Sequence, residues 1–134
     1  MTLLVSEIMS YDLLTIPVDA PLAQADAEMR LGHVRHLPVV EPGGLLVGVL
    51  SMVDVARRMA AQSGAKVRDV MAQPVVSVKE NTPAADAAHA MRTQRAGCLP
   101  VLDGAGRLVG LVTELDFVEV AEKLLSGKPP ARRR

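Results

Sequence analysis

The apolar positions along this chain switch repeatedly between two periods. Leu22, Ala25 and Met29, and later Ala84, Ala88 and Met91, recur at the spacing of one helical face. Asp19 and Asn81 stand where an N-cap is expected, and Pro21 and Pro83 fall in the first turn, where a missing N–H costs little. Each stripe leads into a short continuous apolar run, "LPVV" or "LPVL", of the kind that buried strands carry. The turn sequences "EPGG" and "DGAG" follow, with glycine available for positive φ, and then the return strands "LLVGVLS" and "RLVGLVT". "MVDVARRMAAQ" and "ELDFVEVAEKLL" read as closing helices. Each series opens on a short turn, "VSEIM" or "VRDVM", followed by an extended piece, "LLTIP" or "VVSVK".

The predicted order is therefore β-α-β-β-α, written twice. Val5 falls on Val67, and the same offset of 62 residues holds without a gap as far as Phe117. Met9 falls on Met71, Pro21 on Pro83, Leu37-Pro38-Val39 on Leu99-Pro100-Val101, Gly48 on Gly110 and Asp54 on Asp116. An ungapped repeat of this length is stronger than any short motif and identifies a duplicated unit. Copy one is assigned to residues 1–62 and copy two to 63–126, with Ser63 to Lys66 as linker and 127–134 as a flexible basic tail. A single copy is small for an independent core, and its sheet has one face left after its own helices are placed. Packing the two sheets face to face about a pseudo-two-fold axis covers both. The expectation is an α/β chain of the α+β type, with a central cleft where the two strand–helix corners meet.

Composition narrows what such a unit does. Apolar residues make up 49% of the 134, enough for a core, while 15 basic side chains balance 15 acidic ones. That balance gives no pull toward nucleic acid or an anionic membrane. The aromatics are Tyr11 and Phe117, so no platform for base stacking is available. The single cysteine, Cys98, has no partner for an internal disulfide, which suits a reducing compartment. The opening "MTLLVSEIMS" lacks the features of a secretory signal, and no apolar run approaches the roughly 20 residues of a membrane helix. The expected location is the cytoplasm.

The candidate chemistry sits at the two corners where a return strand meets a closing helix. Ser51-x-x-Asp54 and Thr113-x-x-Asp116 match the capping box, in which a hydroxyl and an acid satisfy free N–H groups at a helix start. The same corner presents unpaired N–H groups and a positive dipole end, suited to a phosphate, and an aspartate that can accept from two ribose hydroxyls. Spacing alone leaves both roles open. Other constellations carry less. His33-x-x-His36 has no further ligand at metal spacing, and Cys98 has no neighbouring base. Arg132 to Arg134 are three charges on a proline-containing tail, and no nucleophile–base set, P-loop or GxGxxG marks an enzyme.

The paired elements "VSEIM/VRDVM", "HLPVV/CLPVL" and "LVGVLSMVD/LVGLVTELD", with both helices in order and twice, resemble a tandem pair of CBS (cystathionine β-synthase) domains, the Bateman module. The resemblance covers nearly the whole chain. It implies a regulatory module, not an enzyme, that binds an adenosine-containing ligand (AMP, ADP, ATP or S-adenosylmethionine) in the cleft between the copies. It also implies a homodimer that controls an enzyme or transporter in trans. By the resemblance, Asp54 and Asp116 take ribose and Ser51 and Thr113 lie near ribose or phosphate. Leu14, Val76, Val49 and Leu111 are candidate adenine walls, although ordinary core is the stronger reading for any one of them. A basic residue before "LP" faces phosphate in the family. Copy one has Arg35-His36 there, while copy two departs with Gly97-Cys98, so the phosphate-facing charge would come from copy one, with Lys79 or Arg107 as weaker helpers. The alternative is a structural dimerisation or scaffold module with empty clefts.

Overall fold

The structure is a computed structural model that describes residues 2–61, 64–73 and 75–127. The elements are β1 (Ile16–Pro17), α1 (Leu22–Gly32), β2 (His36–Val40), β3 (Leu46–Ser51), α2 (Met52–Ala61), β4 (Val78–Lys79), α3 (Ala84–Gln94), β5 (Cys98–Leu102), β6 (Leu108–Thr113) and α4 (Glu114–Leu125). The expected β-α-β-β-α order thus stands twice. Single 3-10 turns at Val5–Glu7 and Val67–Asp69 precede each series.

Each sheet has three strands, in the order β1-β2-β3 or β4-β5-β6, the first pair parallel and the second antiparallel. The registers are superposable: Leu37 faces Leu50 in one sheet and Leu99 faces Val112 in the other, and each ladder slips at the equivalent place, Val39/Val40 and Val101/Leu102. The first strands are shorter than the pattern suggests. Of "LLTIP" and "VVSVK", only Ile16–Pro17 and Val78–Lys79 pair, against the far ends of β2 and β5. The expected linker Ser63–Lys66 and the basic tail fall partly outside the described residues, at Ser63 and at 128–134 respectively.

The chain divides into two compact units, Leu14–Val75 and Met1–Leu13 with Val76–Arg134. The repeat in the sequence and the unit in space are therefore offset, because each unit takes its opening turn from the other copy. In the second unit the N–H of Val5 donates to the carbonyl of Thr82 at 2.9 Å, that of Ser6 to Glu80 at 3.0 Å, and that of Ala84 to Leu3 at 2.7 Å. In the first unit Val67 donates to Ala20 at 3.0 Å, Arg68 to Val18 at 3.1 Å, and Leu22 to Ala65 at 2.9 Å. These sets are the same bonds displaced by one repeat.

The exchange corrects the expected helix starts. Asp19 and Asn81 are not N-caps; Pro21 and Pro83 occupy that position in extended conformation, with no side-chain cap bond. The first N–H of each helix is satisfied by the backbone of the opening turn, so a side-chain acceptor is not required. Asp19 instead forms an ion pair with Arg68 of that turn. At their other ends α1 and α3 stop on left-handed residues that are not glycine, His33 (φ 54) and Arg95 (φ 53).

The same turns carry core methionines. Met9 is fully buried among Val5, Leu99, Val101 and Val112, and Met71 packs against the cluster built on Ile16, Leu37 and Leu50. Each methionine lies over a strand glycine. A Cβ on Gly48 would stand 2.6 Å from the Met71 sulfur, and one on Gly110 would collide with the Met9 sulfur. With almost no aromatics, the cores are filled by aliphatic and thioether side chains meeting bare backbone.

Candidate functional site: two unequal strand–helix corners

In copy one β3 ends on Ser51 and α2 begins at once on Met52. The Ser51 hydroxyl accepts the N–H of Asp54 at 3.1 Å, which caps the helix. The antiparallel register places His36 opposite Ser51, and the N–H of Met52 donates to the carbonyl of Arg35 at 2.8 Å. Arg35, His36, Ser51 and Asp54 are thus gathered at one end of one sheet, His36 half-buried and Arg35 exposed. The Asp54 side chain is 46% exposed and lies 3.8 Å from Nη1 of Arg57. The sequence reading missed Arg57, although an acid and a base three apart on a helix face are the signal for such a pair.

Copy two folds the same corner differently. The Asp116 carboxylate turns back on its own helix start, accepting the N–H of Thr113 at 2.8 Å and its hydroxyl at 3.4 Å. Asp116 is 5% exposed, and it is the buried charged residue among those described. Across the ladder Cys98 faces Thr113, and the N–H of Glu114 donates to the carbonyl of Gly97 at 3.3 Å, so no cationic side chain stands where Arg35 and His36 stand in copy one. The capping-box reading and the ligand reading of one sequence phrase therefore separate by copy. At Ser51 the cap uses the hydroxyl and leaves the carboxylate outside; at Thr113 it uses the carboxylate.

The other predicted residues divide as well. Leu14 precedes β1 at the end nearest the Arg35 corner, is 43% exposed, and lies against Gly32, where a Cβ would strike it. Val76 precedes β4 and packs on the core of its unit. Val49 and Leu111 are half-buried strand residues whose outer edges are taken up by Ala72 and Ser10. Lys79 and Arg107 do not serve the Thr113 corner. Lys79 pairs with Leu102 at the opposite end of that sheet, and Arg107 sits in the hairpin turn with Nε 3.0 Å from Asp103. The backbone N–H of Arg107 is the main cause holding the Asp103 carboxyl below its usual range.

His33 ends α1 and His36 opens β2, so the two do not share a helix face, and no group of three or more metal-ligating side chains occurs among the described residues. Cys98 is buried, and burial pushes its thiol up to about 12. The sign is that of a group kept protonated by folding. The unfolded thiol ionises from its ordinary value of 9.0 upward, so this contribution to stability is present below that pH and fades as pH rises toward 12. At pH 8 a thiol reagent is expected to label Cys98 at the rate of unfolding, with full labelling on denaturation; rapid labelling of the native chain would contradict this.

A family model described as "CBS domain" matches residues 5–61 and again 67–123. The chain is a tandem pair of CBS domains. A CBS domain-containing protein of Dictyostelium discoideum is 34% identical, over 97% of this chain and 99% of its own length. The inosine-5′-monophosphate dehydrogenase of Mycobacterium bovis is 36% identical over 90% of this chain, which spans only 22% of that enzyme. Among solved structures, the CBS domain pair of protein MJ0100, in complex with 5′-methylthioadenosine and S-adenosyl-L-methionine, is similar with a TM-score of 0.83 at 28% identity, covering 95% of this chain and 98% of that one. No helix among the described residues of the CBS pair is long and apolar enough to cross a membrane.

Proposed function

We propose that this CBS pair is a non-catalytic cytoplasmic sensor that holds an adenosine-containing ligand (AMP, ADP, ATP or S-adenosylmethionine) at the copy-one corner. Its occupancy is passed, through a homodimer, to an enzyme or transporter acting in trans. The observation that carries the reading is the Asp54 carboxylate, exposed beside the Ser51 cap and at the same sheet end as Arg35 and His36. A ribose diol donates two hydrogen bonds to one carboxylate, and a phosphate is matched by a guanidinium and an imidazole. Leu14 and Val49 offer aliphatic surface to the base. The adenosine ligands held by the MJ0100 pair support the ligand class, and the likeness to part of a dehydrogenase supports an enzyme as regulated partner. In copy two, the internal use of Asp116 and the missing cations favour a structural corner over a second equal site, with Thr113, Leu111 and Val76 serving the fold.

Thermal unfolding with each ligand at millimolar concentration tests this. A ligand at 100 times its dissociation constant is expected to add about 2.7 kcal/mol of stability. No shift with any of the four would overturn the sensor reading and leave the scaffold alternative standing.

A further inference from the structure

The two units differ in the groove between their helices. In the first unit Asp26 on α1 pairs with Arg30 one turn on, at 3.1 Å. Val34, just after α1, and Met52, which opens α2, pack on the core beside them. In the second unit the repeat positions of these four hold Ala88, Arg92, Ala96 and Glu114. The acid that held the arginine is gone, and two larger side chains have become alanine. A cavity of about 420 Å³ lies there between α3 and α4, floored by Met91, Phe117, Ala88 and Ala96. Met91 is buried, and the half-buried Phe117 packs on the same core. Arg92 and Arg95 stand exposed at the rim. Arg92 lies 3.5 Å from Nδ1 of His89, and neither arginine makes an ion pair among the described residues.

Arginines near the end of a helix are ordinary, since the dipole favours cations there. At this groove they coincide with the loss of the countercharge and with an apolar hollow beneath them. A cavity of this size, apolar below and with a few charged groups above, is of the kind that small organic ligands fill. A guanidinium matches a carboxylate with two parallel hydrogen bonds. Glu114 is the one acid in the lining, so two cations against it leave the rim positive. We infer that the groove between α3 and α4 is a second binding site, and that it takes a small organic acid. The carboxylate of the ligand meets Arg92 and Arg95, and its apolar body lies on Met91 and Phe117. The site shares no residue with the copy-one corner, so it stands apart from the adenosine reading. In the first unit Asp26 already neutralises Arg30, and Val34 and Met52 occupy the places of Ala96 and Glu114, so the repeat does not offer the same site twice.

Isothermal titration of the full chain with octanoate tests this, with circular dichroism to confirm folding. Octanoate is expected to bind at millimolar concentration. Octan-1-ol, which has the apolar body without the charge, and acetate, which has the charge without the body, are each expected to bind about tenfold more weakly or worse. Ala88→Asp rebuilds on α3 the pair that Asp26 makes with Arg30. It is expected to weaken octanoate by about tenfold or more in a chain whose helix is no less stable. Arg95→Gly removes the other guanidinium at a left-handed position (φ 53), where glycine is unstrained, so this variant is expected to fold and to lose affinity by a similar factor. No octanoate binding, equal binding of octan-1-ol or of acetate, or unaltered affinity in both variants would overturn the site. Asp54→Asn is expected to leave octanoate affinity unchanged; a loss there would place the acid at the copy-one corner and overturn the inference while the adenosine reading stands.

Discussion

Replacing Met9 by alanine is expected to cost about 2–5 kcal/mol, the range for removing a buried methionine. The damage is expected in copy two, although Met9 lies 62 residues before its counterpart Met71 and belongs by sequence to copy one. Met9 is fully buried against Leu99, Val101 and Val112 and fills the space over Gly110, while the backbone of Ser10 completes the edge at Leu111. Native-state hydrogen exchange reads the location. Protection is expected to fall first in Cys98–Leu102 and Leu108–Thr113, with His36–Val40 and Leu46–Ser51 retained. Earlier loss in the β2–β3 ladder would show that the opening turn serves its own copy.

The second large effect separates the corners. Asp54→Asn is expected to lower affinity for the adenosine ligand by about 10- to 100-fold, since hydrogen bonds to a charged acceptor are worth about 1.5–3 kcal/mol and each 1.4 kcal/mol is tenfold. Stability without ligand is expected to change by no more than about 0.5 kcal/mol, because the Asp54 carboxylate makes only a long, exposed contact with Arg57. Asp116→Ala is expected to behave the other way. It removes a buried acceptor 2.8 Å from the Thr113 N–H and should cost about 1–3 kcal/mol of stability, with a much smaller change in affinity. Isothermal titration beside denaturant unfolding checks the pair. If Asp116→Ala abolishes binding in a chain that remains folded, or Asp54→Asn leaves affinity unaltered, the assignment of the ligand to copy one is wrong.

These outcomes depend on features of unequal legibility. "SMVD" and "TELD" announce a helix start in any context, since a hydroxyl and an acid three residues apart act within one turn. Which group does the capping is not written in them. Ser51 offers its hydroxyl to the N–H of Asp54, and Thr113 receives the carboxylate of Asp116, a choice of rotamer made by the surroundings of each corner. The departure from Arg35-His36 to Gly97-Cys98 was readable as a missing charge. That Lys79 and Arg107 cannot replace it follows only from the strand register, which puts them at the other end of the sheet.

The sequence by itself determined the order of elements, the duplication and the position of both corners. Each of these is recorded in local periodicity and in a repeat that tolerates no gap. The tertiary structure alone decided which opening turn completes which unit and what satisfies the helix starts. Leu22 donates to Ala65 and Ala84 to Leu3 through backbone carbonyls, which every residue type possesses and no side-chain pattern marks. For that reason Asp19 and Asn81 looked like caps, and a carbonyl distant in sequence took their place.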